Sequence, residues 1–257
     1  MAQLQRLTLD PAQILDRQIS LTEPQQHYLY RVLRLRPGQQ FIALDGQGQS
    51  WLATLQPDRS IALIAETGAA IEAATELAIP LTLLIALPKT GMDDIVRQAT
   101  ELGVQRIVPI LSQRTLLQPS PQKLERWQRI AQEAAEQSER PIVPEIYSPQ
   151  PWSEALTQWH SDQTASFICE ARGHPPHLLT CLSRETRPTW TVAIGPEGGW
   201  TEDELTQAIT IGYQAVSLGS RILRSITAPL VALSLMAGAI ETLNIEILNI
   251  EILNNDA

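Results

Sequence analysis

From residue 81 onward, unbroken apolar runs alternate with stretches in which apolar residues return every three or four positions. Leu81 to Leu87, Arg106 to Leu111, Ser166 to Cys169, Trp190 to Ile194 and Ala215 to Leu218 are runs of the first kind. Short continuous runs predict strands covered on both faces, as in a parallel sheet. Between them, Met92 to Leu102 has helical spacing and stops at Gly103. Lys123 to Ser138, with Pro121 near its start, places Trp127, Ile130, Ala131 and Ala134 on one stripe. A further helix opens at Thr201, three residues ahead of Glu204 in a capping box, and Asp203 and Glu204 suit the positive end of its dipole. The repeated β–α alternation predicts an α/β fold, its mostly parallel sheet covered on both faces.

The first 70 residues read differently. Beyond a helix over Glu23 to Leu33 they hold short alternating segments and turns. Pro37-Gly38 marks a turn, and Phe41 to Leu44, Asp45-Gly46 and Trp51 to Leu55 form a hairpin pattern, followed by a strand over Ile61 to Ala65. This predicts a small β-rich domain. Ala69 to Ala78 reads as a linker helix or an extended connection. At the far end, Asn244 to Leu248 is repeated as Asn249 to Leu253. A period of five fits no packed repeat architecture, so the segment reads as a tail, disordered, extending the preceding helix, or serving as an interaction helix. The expected boundaries are 1–72, 73–243 and 244–257.

A chain of 257 residues with 44% hydrophobic and 18% charged residues has ample core for two domains. No apolar run approaches the roughly 20 residues of a membrane span, and the N-terminus lacks the basic-then-apolar pattern of a secretory leader. Two cysteines, Cys169 and Cys181, are too few for a disulfide framework, which points to the cytoplasm. His27, His160, His174 and His177 are scattered, and the prolines inside His174–His177 forbid a helical ligand pair, so no metal site is expected. The net charge of −9 opposes a wholly basic nucleic-acid binder, yet residues 1–70 balance six cationic against six acidic residues. Within them Arg31, Arg34 and Arg36 occur with no acid between His27 and Phe41. Such a local stripe grips phosphate even on an acidic protein, because screening confines its field to about 8 Å. The interleaved Tyr28 and Tyr30 offer faces to bases.

Candidate chemistry gathers at two turns. The run Trp190 to Ile194 breaks at Gly195-Pro196-Glu197-Gly198-Gly199, and Ala215 to Leu218 breaks at Gly219 before Arg221-Ile222-Leu223-Arg224; each precedes a helix. In an open α/β sheet ligands bind at such strand ends. Glycine lets backbone lie against a flat ligand and Pro196 stiffens the turn. One such turn alone is equally a plain strand-to-helix connection; two together favour a site. Neither G-x-x-x-x-G-K-[ST] nor G-x-G-x-x-G is present in these turns.

At GPEGGWTEDEL and SLGSRILRSITAPLVALS the chain resembles the RsmE family, and the likeness extends from His27 to about Ala239. The resemblance implies a SPOUT-class enzyme that uses S-adenosylmethionine (SAM) to methylate N3 of a specific uridine in small-subunit (16S) ribosomal RNA. It further implies a PUA-like RNA-binding barrel at the N-terminus, a trefoil knot in the α/β domain and a homodimer. On it, the donor lies bent among Ile194, Gly195, Pro196, Glu197, Gly198, Gly199, Leu218, Gly219, Ile222, Leu223, Arg224 and Ala228. Arg221 and Arg224 are the catalytic candidates, orienting RNA or stabilising charge on the base, and Glu197 is a general-base candidate by position alone. His27, Arg31, Arg34 and Arg36 match the family's H-x-x-x-R-V-L-R-L stretch and are assigned to RNA, as are Lys89 and Arg114. Glu101 in A-T-E-L-G matches a family segment near the same cleft, and Glu133, Gln137 and Arg140 match a pattern that serves packing or substrate.

One position departs from the pattern: Ile226 stands where the family carries a glutamate, with Ser225 keeping a hydroxyl before it. That leaves a competing reading open, a non-catalytic RNA-binding protein that kept the fold and the SAM pocket.

Overall fold

The computed structural model describes residues 4–65, 75–115 and 119–255, with side chains to Thr242. It divides into two compact units, 1–76 with 135–143, and 77–134 with 144–257.

The first unit is built on a six-stranded sheet. Its strands are β1 (Arg6–Thr8), β2 (Ile14–Leu15), β3 (Gln18–Ser20), β4 (Gln40–Leu44), β5 (Ser50–Leu55) and β6 (Ile61–Ile64), in the order β1-β4-β5-β6-β3-β2. Only β1 and β4 run parallel. In the β4–β5 register Phe41 faces Ala53, a large side chain opposite a small one, and both are buried. Helix α1 (Glu23–His27) starts at a Thr22 capping box and tightens no further; it widens into a π turn over Tyr28–Val32. That turn seats Leu29 in the core, with Tyr28, Tyr30, Leu33 and Leu35 packed around it. The tyrosines therefore serve as packing residues rather than open stacking platforms.

Residues 135–143 complete this unit. Glu136 accepts the Thr8 N–H at 2.7 Å, Glu139 pairs with Arg6 at 2.6 Å, and Arg140, 2% exposed, pairs with Glu76 at 2.7 Å.

The second unit is organised around a seven-stranded sheet. In chain order it contains β7 (Leu81–Ala86), α2 (Met92–Glu101), β8 (Arg106–Leu111), α3 (Pro121–Gln137, shared with the first unit), β9 (Glu145–Ile146), β10 (Gln150–Pro151) and α4 (Trp152–Gln158). There follow β11 (Thr164–Cys169), α5 (Leu178–Leu182), β12 (Thr189–Ile194), α6 (Glu202–Ile211), β13 (Gln214–Val216) and α7 (Ala228–Asn255). The order is β10-β8-β7-β12-β11-β13 with β9 beside β8, and every pair is parallel. The central strands β7 and β12 are buried almost throughout, which is why their sequences read as unbroken apolar runs. Trp127, Ile130, Ala131 and Ala134 are buried as the stripe on α3 predicts, and the Trp127 indole donates to Asp93 on α2 at 3.1 Å.

Register decides where a site can form. Ile194 pairs with Ile85, Ala193 with Ile168, and Ile168 with Ala215. The C-terminal ends of β7, β12, β11 and β13 thus open along one edge, the ligand edge of a parallel sheet.

Of the readings open for the C-terminal repeat, extension of the preceding helix is the one seen, since α7 continues through it to Asn255. Glu101 does not reach the cleft: α2 begins at the ligand edge and runs back along the sheet, so its tenth residue lies about 15 Å away by helical rise, and it is exposed. The Ala69 to Ala78 connection falls mostly outside the described residues, and 75–78 form no helix. No helix among the described residues is long and apolar enough to cross a membrane.

Candidate active site

The loop after β12 is fixed from three sides. Gly199 N–H donates to the Pro196 carbonyl at 2.9 Å, closing the turn, and Gly199 sits at φ +70°, a left-handed conformation that suits glycine. Trp200 anchors its end: the indole donates to the Cys169 carbonyl at 3.0 Å and lies 4.5 Å from Trp152, centroid to centroid. A Cβ on Gly195 would stand 3.1 Å from that indole, so a larger residue there must push the ring aside. Arg114 lies on the other side, donating to the Gly198 carbonyl at 2.5 Å and to the Trp200 carbonyl at 3.3 Å.

The Thr201 capping box forms as its spacing predicts, with an additional role for its glutamate. Glu204 is 1% exposed. One carboxylate oxygen accepts the Thr201 N–H at 2.9 Å, and the other accepts the Gln113 N–H at 2.8 Å. A single buried carboxylate therefore caps α6 and ties the loop after β8 to it.

The turn after β13 is closed by Ser217, whose Oγ accepts the Gly219 N–H at 3.0 Å, with Gly219 at φ +115°. From Ser220 to Ile226 the main-chain N–H groups find no acceptor among the described residues, until Thr227 and Ala228 both donate to the Arg224 carbonyl at 2.9 Å. Exposed main-chain donors in series are ready for a ligand or water.

These loops enclose a cavity of about 570 Å³. Around it stand Ile194, Gly195, Pro196, Glu197, Gly198, Gly199, Leu218, Gly219, Arg221, Ile222, Leu223, Arg224 and Ala228, all candidates from the sequence. Thr90, Cys169, Glu170, Ala171, Arg172, Trp200, Ser225 and Ile226 complete the lining and were not among them. The strand-end rule applied to β11 was the signal for the segment from 169 to 172; it carries no glycine before Gly173 and so does not stand out.

Electrostatics separates the polar groups. Burial alone would raise the Glu197 carboxyl. The Lys89 N–H at 2.9 Å, its own N–H, the Ser225 hydroxyl and the Lys89 charge outweigh that and hold it below its ordinary value. Glu197 is therefore held less basic than an ordinary carboxylate, which makes it a weak general base at neutral pH. Cys169 lies low in the wall, where burial pushes its thiol up to about 12, so it is no thiolate nucleophile. His177, half of the HPPH pair, caps α5 by accepting the Leu179 N–H at 3.2 Å. No cluster of metal-type ligands occurs among the described residues.

The structure separates the residues assigned to RNA. His27, Arg31, Arg34 and Arg36 are exposed on the first unit, and among the described residues no ion pair engages the three arginines. Lys89 is exposed beside the cavity, and its N–H is bonded to Glu197. Arg114 turns its guanidinium to loop carbonyls.

The cavity suits a bent nucleoside donor such as SAM. Ile194, Leu218 and Leu223 offer apolar surface for a flat ring, glycine backbone permits close approach, and the free N–H series can read ring nitrogens or a carboxylate.

Comparison with known proteins gives the family of the chain. A family profile described as an RNA methyltransferase domain matches residues 75–237, and one described as an RNA methyltransferase PUA domain matches 21–66. The chain is 45% identical over 240 residues to ribosomal RNA small subunit methyltransferase E of Synechocystis sp., covering 92% of this chain and 78% of that protein. It is 28% identical to the Bacillus subtilis protein of the same name, over 87% and 91% of the two chains. Among solved structures it resembles that of ribosomal RNA small subunit methyltransferase E from Neisseria gonorrhoeae bound to S-adenosyl methionine. The TM-score is 0.80 at 30% identity, over 91% of this chain and 97% of that one. With a methyltransferase profile matched over 75–237 and 45% identity over 92% of its length to a protein of that name, the chain belongs to the ribosomal RNA small subunit methyltransferase E family.

Proposed function

We propose that this protein is a SAM-dependent methyltransferase acting on N3 of one uridine in 16S ribosomal RNA of the small subunit, in the cytoplasm and as a homodimer with the family's knotted topology. The observation that carries this reading is the convergence of both glycine turns on one cavity edged by unpaired main-chain N–H groups.

When bound, SAM supplies a methyl group on a sulfonium centre, so the protein's task is alignment more than chemical activation. Ile194, Leu218 and Leu223 hold the flat part of the donor, and the N–H groups of 220–226 fix its polar edges. Arg221 and Arg224, both exposed at the cavity, face an incoming base. The uridine must leave its stack to present N3. As N3 gives up its proton, negative charge grows on the flanking carbonyl oxygens, and a guanidinium placed there stabilises it. Glu197 accepts the Lys89 N–H and its carboxyl is held below its ordinary value, so the proton passes to solvent or RNA rather than to that carboxylate. On the first unit Arg31, Arg34 and Arg36, with His27, hold RNA phosphates.

The second reading, a non-catalytic SAM- and RNA-binding protein, rests on Ile226, which lines the cavity where the family resemblance implies a glutamate. Incubation with labelled SAM and unmodified small subunits separates the two. Label on N3 of a single uridine supports the enzyme. SAM binding without transfer supports the alternative, and absence of both refutes the reading of the cavity.

A further inference from the structure

One of the tyrosine faces that the sequence offers to bases is already occupied. Tyr30 lies in the π turn that continues α1, half-buried in the core of the first unit, with His27 three residues before it and Arg31 directly after it. Its hydroxyl is buried and finds no partner among the described residues. Over the ring stands the guanidinium of Arg59, 5.2 Å from the centroid. Arg59 comes from the turn between β5 and β6. That turn is closed by the Gln56 N–H on the Ile61 carbonyl at 3.1 Å, and its Ser60 carbonyl accepts the Leu21 N–H at 2.8 Å, one residue before the Thr22 cap of α1. Main-chain bonds therefore fix the turn beside the helix. Asp58, the acid next to Arg59, is engaged within the turn: one of its oxygens accepts both the Ser60 N–H at 2.9 Å and the Ser60 hydroxyl at 2.6 Å. Arg59 itself is exposed, and among the described residues no ion pair or hydrogen bond engages its guanidinium.

We infer that Arg59 is a fourth arginine of the RNA-binding surface, held over Tyr30 so that its guanidinium meets a phosphate next to those gripped by the stripe from Arg31 to Arg36. This rests on the first unit binding RNA. No acidic residue occurs between His27 and Phe41, so the surface that Arg59 joins is cationic. The physical reason for the tyrosine is preorganisation. A freely moving arginine gives up rotamer freedom when it grips a phosphate, and one already held over a ring has less to lose. An aromatic face also holds the charge without cancelling it, as a carboxylate would. The planar fork of N–H donors stays available for phosphate oxygens. The ring of Tyr30 thus has a use other than base stacking: it carries a cation from a strand turn to the edge of the helical stripe.

The test is filter binding of the full chain to unmodified 16S ribosomal RNA over a salt series, with thermal melting of each variant. Arg59→Ala should weaken binding about threefold to tenfold and reduce the slope of log affinity against log salt by about 0.7–0.9, one phosphate contact, at an unchanged melting temperature. Arg59→Lys should keep the slope, because the charge remains, with an affinity between those of wild type and Arg59→Ala. Tyr30→Leu should lower affinity about twofold to fivefold at constant slope, the worth of an exposed cation–π contact. Tyr30→Phe keeps the ring and should restore what Tyr30→Leu loses. A wild-type slope in a folded Arg59→Ala protein overturns the inference. Weaker binding at that slope with a lower melting temperature also overturns it, as the mark of a merely structural role. Failure of the wild type to bind the RNA, or an unchanged slope in Arg31→Ala as well, overturns the reading of the first unit itself. A reduced slope in Arg31→Ala beside a wild-type slope in Arg59→Ala confines the failure to Arg59.

Discussion

Arg114 donates to the carbonyl of Gly198 at 2.5 Å, so a residue that looked available for phosphate holds the ligand turn from behind. Replacing it with alanine frees that carbonyl and the one at Trp200. A hydrogen bond from a charged group contributes roughly 1.5–3 kcal/mol. The expected outcome for Arg114→Ala is therefore SAM affinity lower by about tenfold or more, read by calorimetry, with RNA affinity at fixed salt little changed.

Gly195 passes 3.1 Å, at the Cβ it lacks, from an indole held by Cys169 and by Trp152. Neither neighbour is the flexible end of a side chain. Gly195→Ala should cost roughly 1–3 kcal/mol, as overpacking does, and lower the melting temperature by roughly 2–4 °C per kcal/mol in a chain of this size. Gly198→Ala is milder, since the facing group is the aliphatic stem of Arg114. A bulky residue at Gly198 should abolish SAM binding.

Glu197 gives a pH dependence of known sign. Its folded-state carboxyl lies below the unfolded value, about 4.3 for glutamate, so its stabilising interactions are complete above that value and fade as pH falls through the lower folded-state value. The difference in melting temperature between wild type and Glu197→Gln should stay constant from neutral pH down to about 5 and shrink only below it. A difference that changes between pH 6 and 8 would contradict the assignment.

The three arginines on the first unit are exposed with no described ion pair, so each is free to neutralise a phosphate. Arg31→Ala, Arg34→Ala and Arg36→Ala should each weaken RNA binding. Each should also reduce the slope of log affinity against log salt by about 0.7–0.9. Filter binding over a salt series measures this, and SAM affinity should not move.

Arg140 is the deepest cation described, paired with Glu76. Removing one member of a buried pair costs about 3–5 kcal/mol. Arg140→Ala should show that loss in denaturant unfolding, which would assign the residue to the architecture of the first unit rather than to substrate.

What could be read in advance followed the range of the forces involved. The strands β7, β8, β11 and β12 were legible because burial on both faces writes itself as unbroken apolar sequence. The start of α6 was legible because a capping box is satisfied within four residues. Helix α4 was not, since only Trp152, Ala155 and Leu156 are buried and so short a stripe gives no period. The π turn at Tyr28–Val32 is set by where Leu29 must sit among strands far away in sequence. Lys89 and Arg114 were singled out for RNA, but nothing local reveals that one offers its N–H to Glu197 and the other its guanidinium to a carbonyl.

Because 135–143 belong with 1–76, the N-terminal unit is interrupted by 58 intervening residues and is not finished when its own strands have been synthesised. A growing chain that has emerged only as far as β6 holds every strand of that sheet while Arg6 and the Thr8 N–H still await their partners Glu139 and Glu136. Completion waits for translation to pass α3, and a fragment cut after Glu76 would present the six-stranded sheet without its closing clasp.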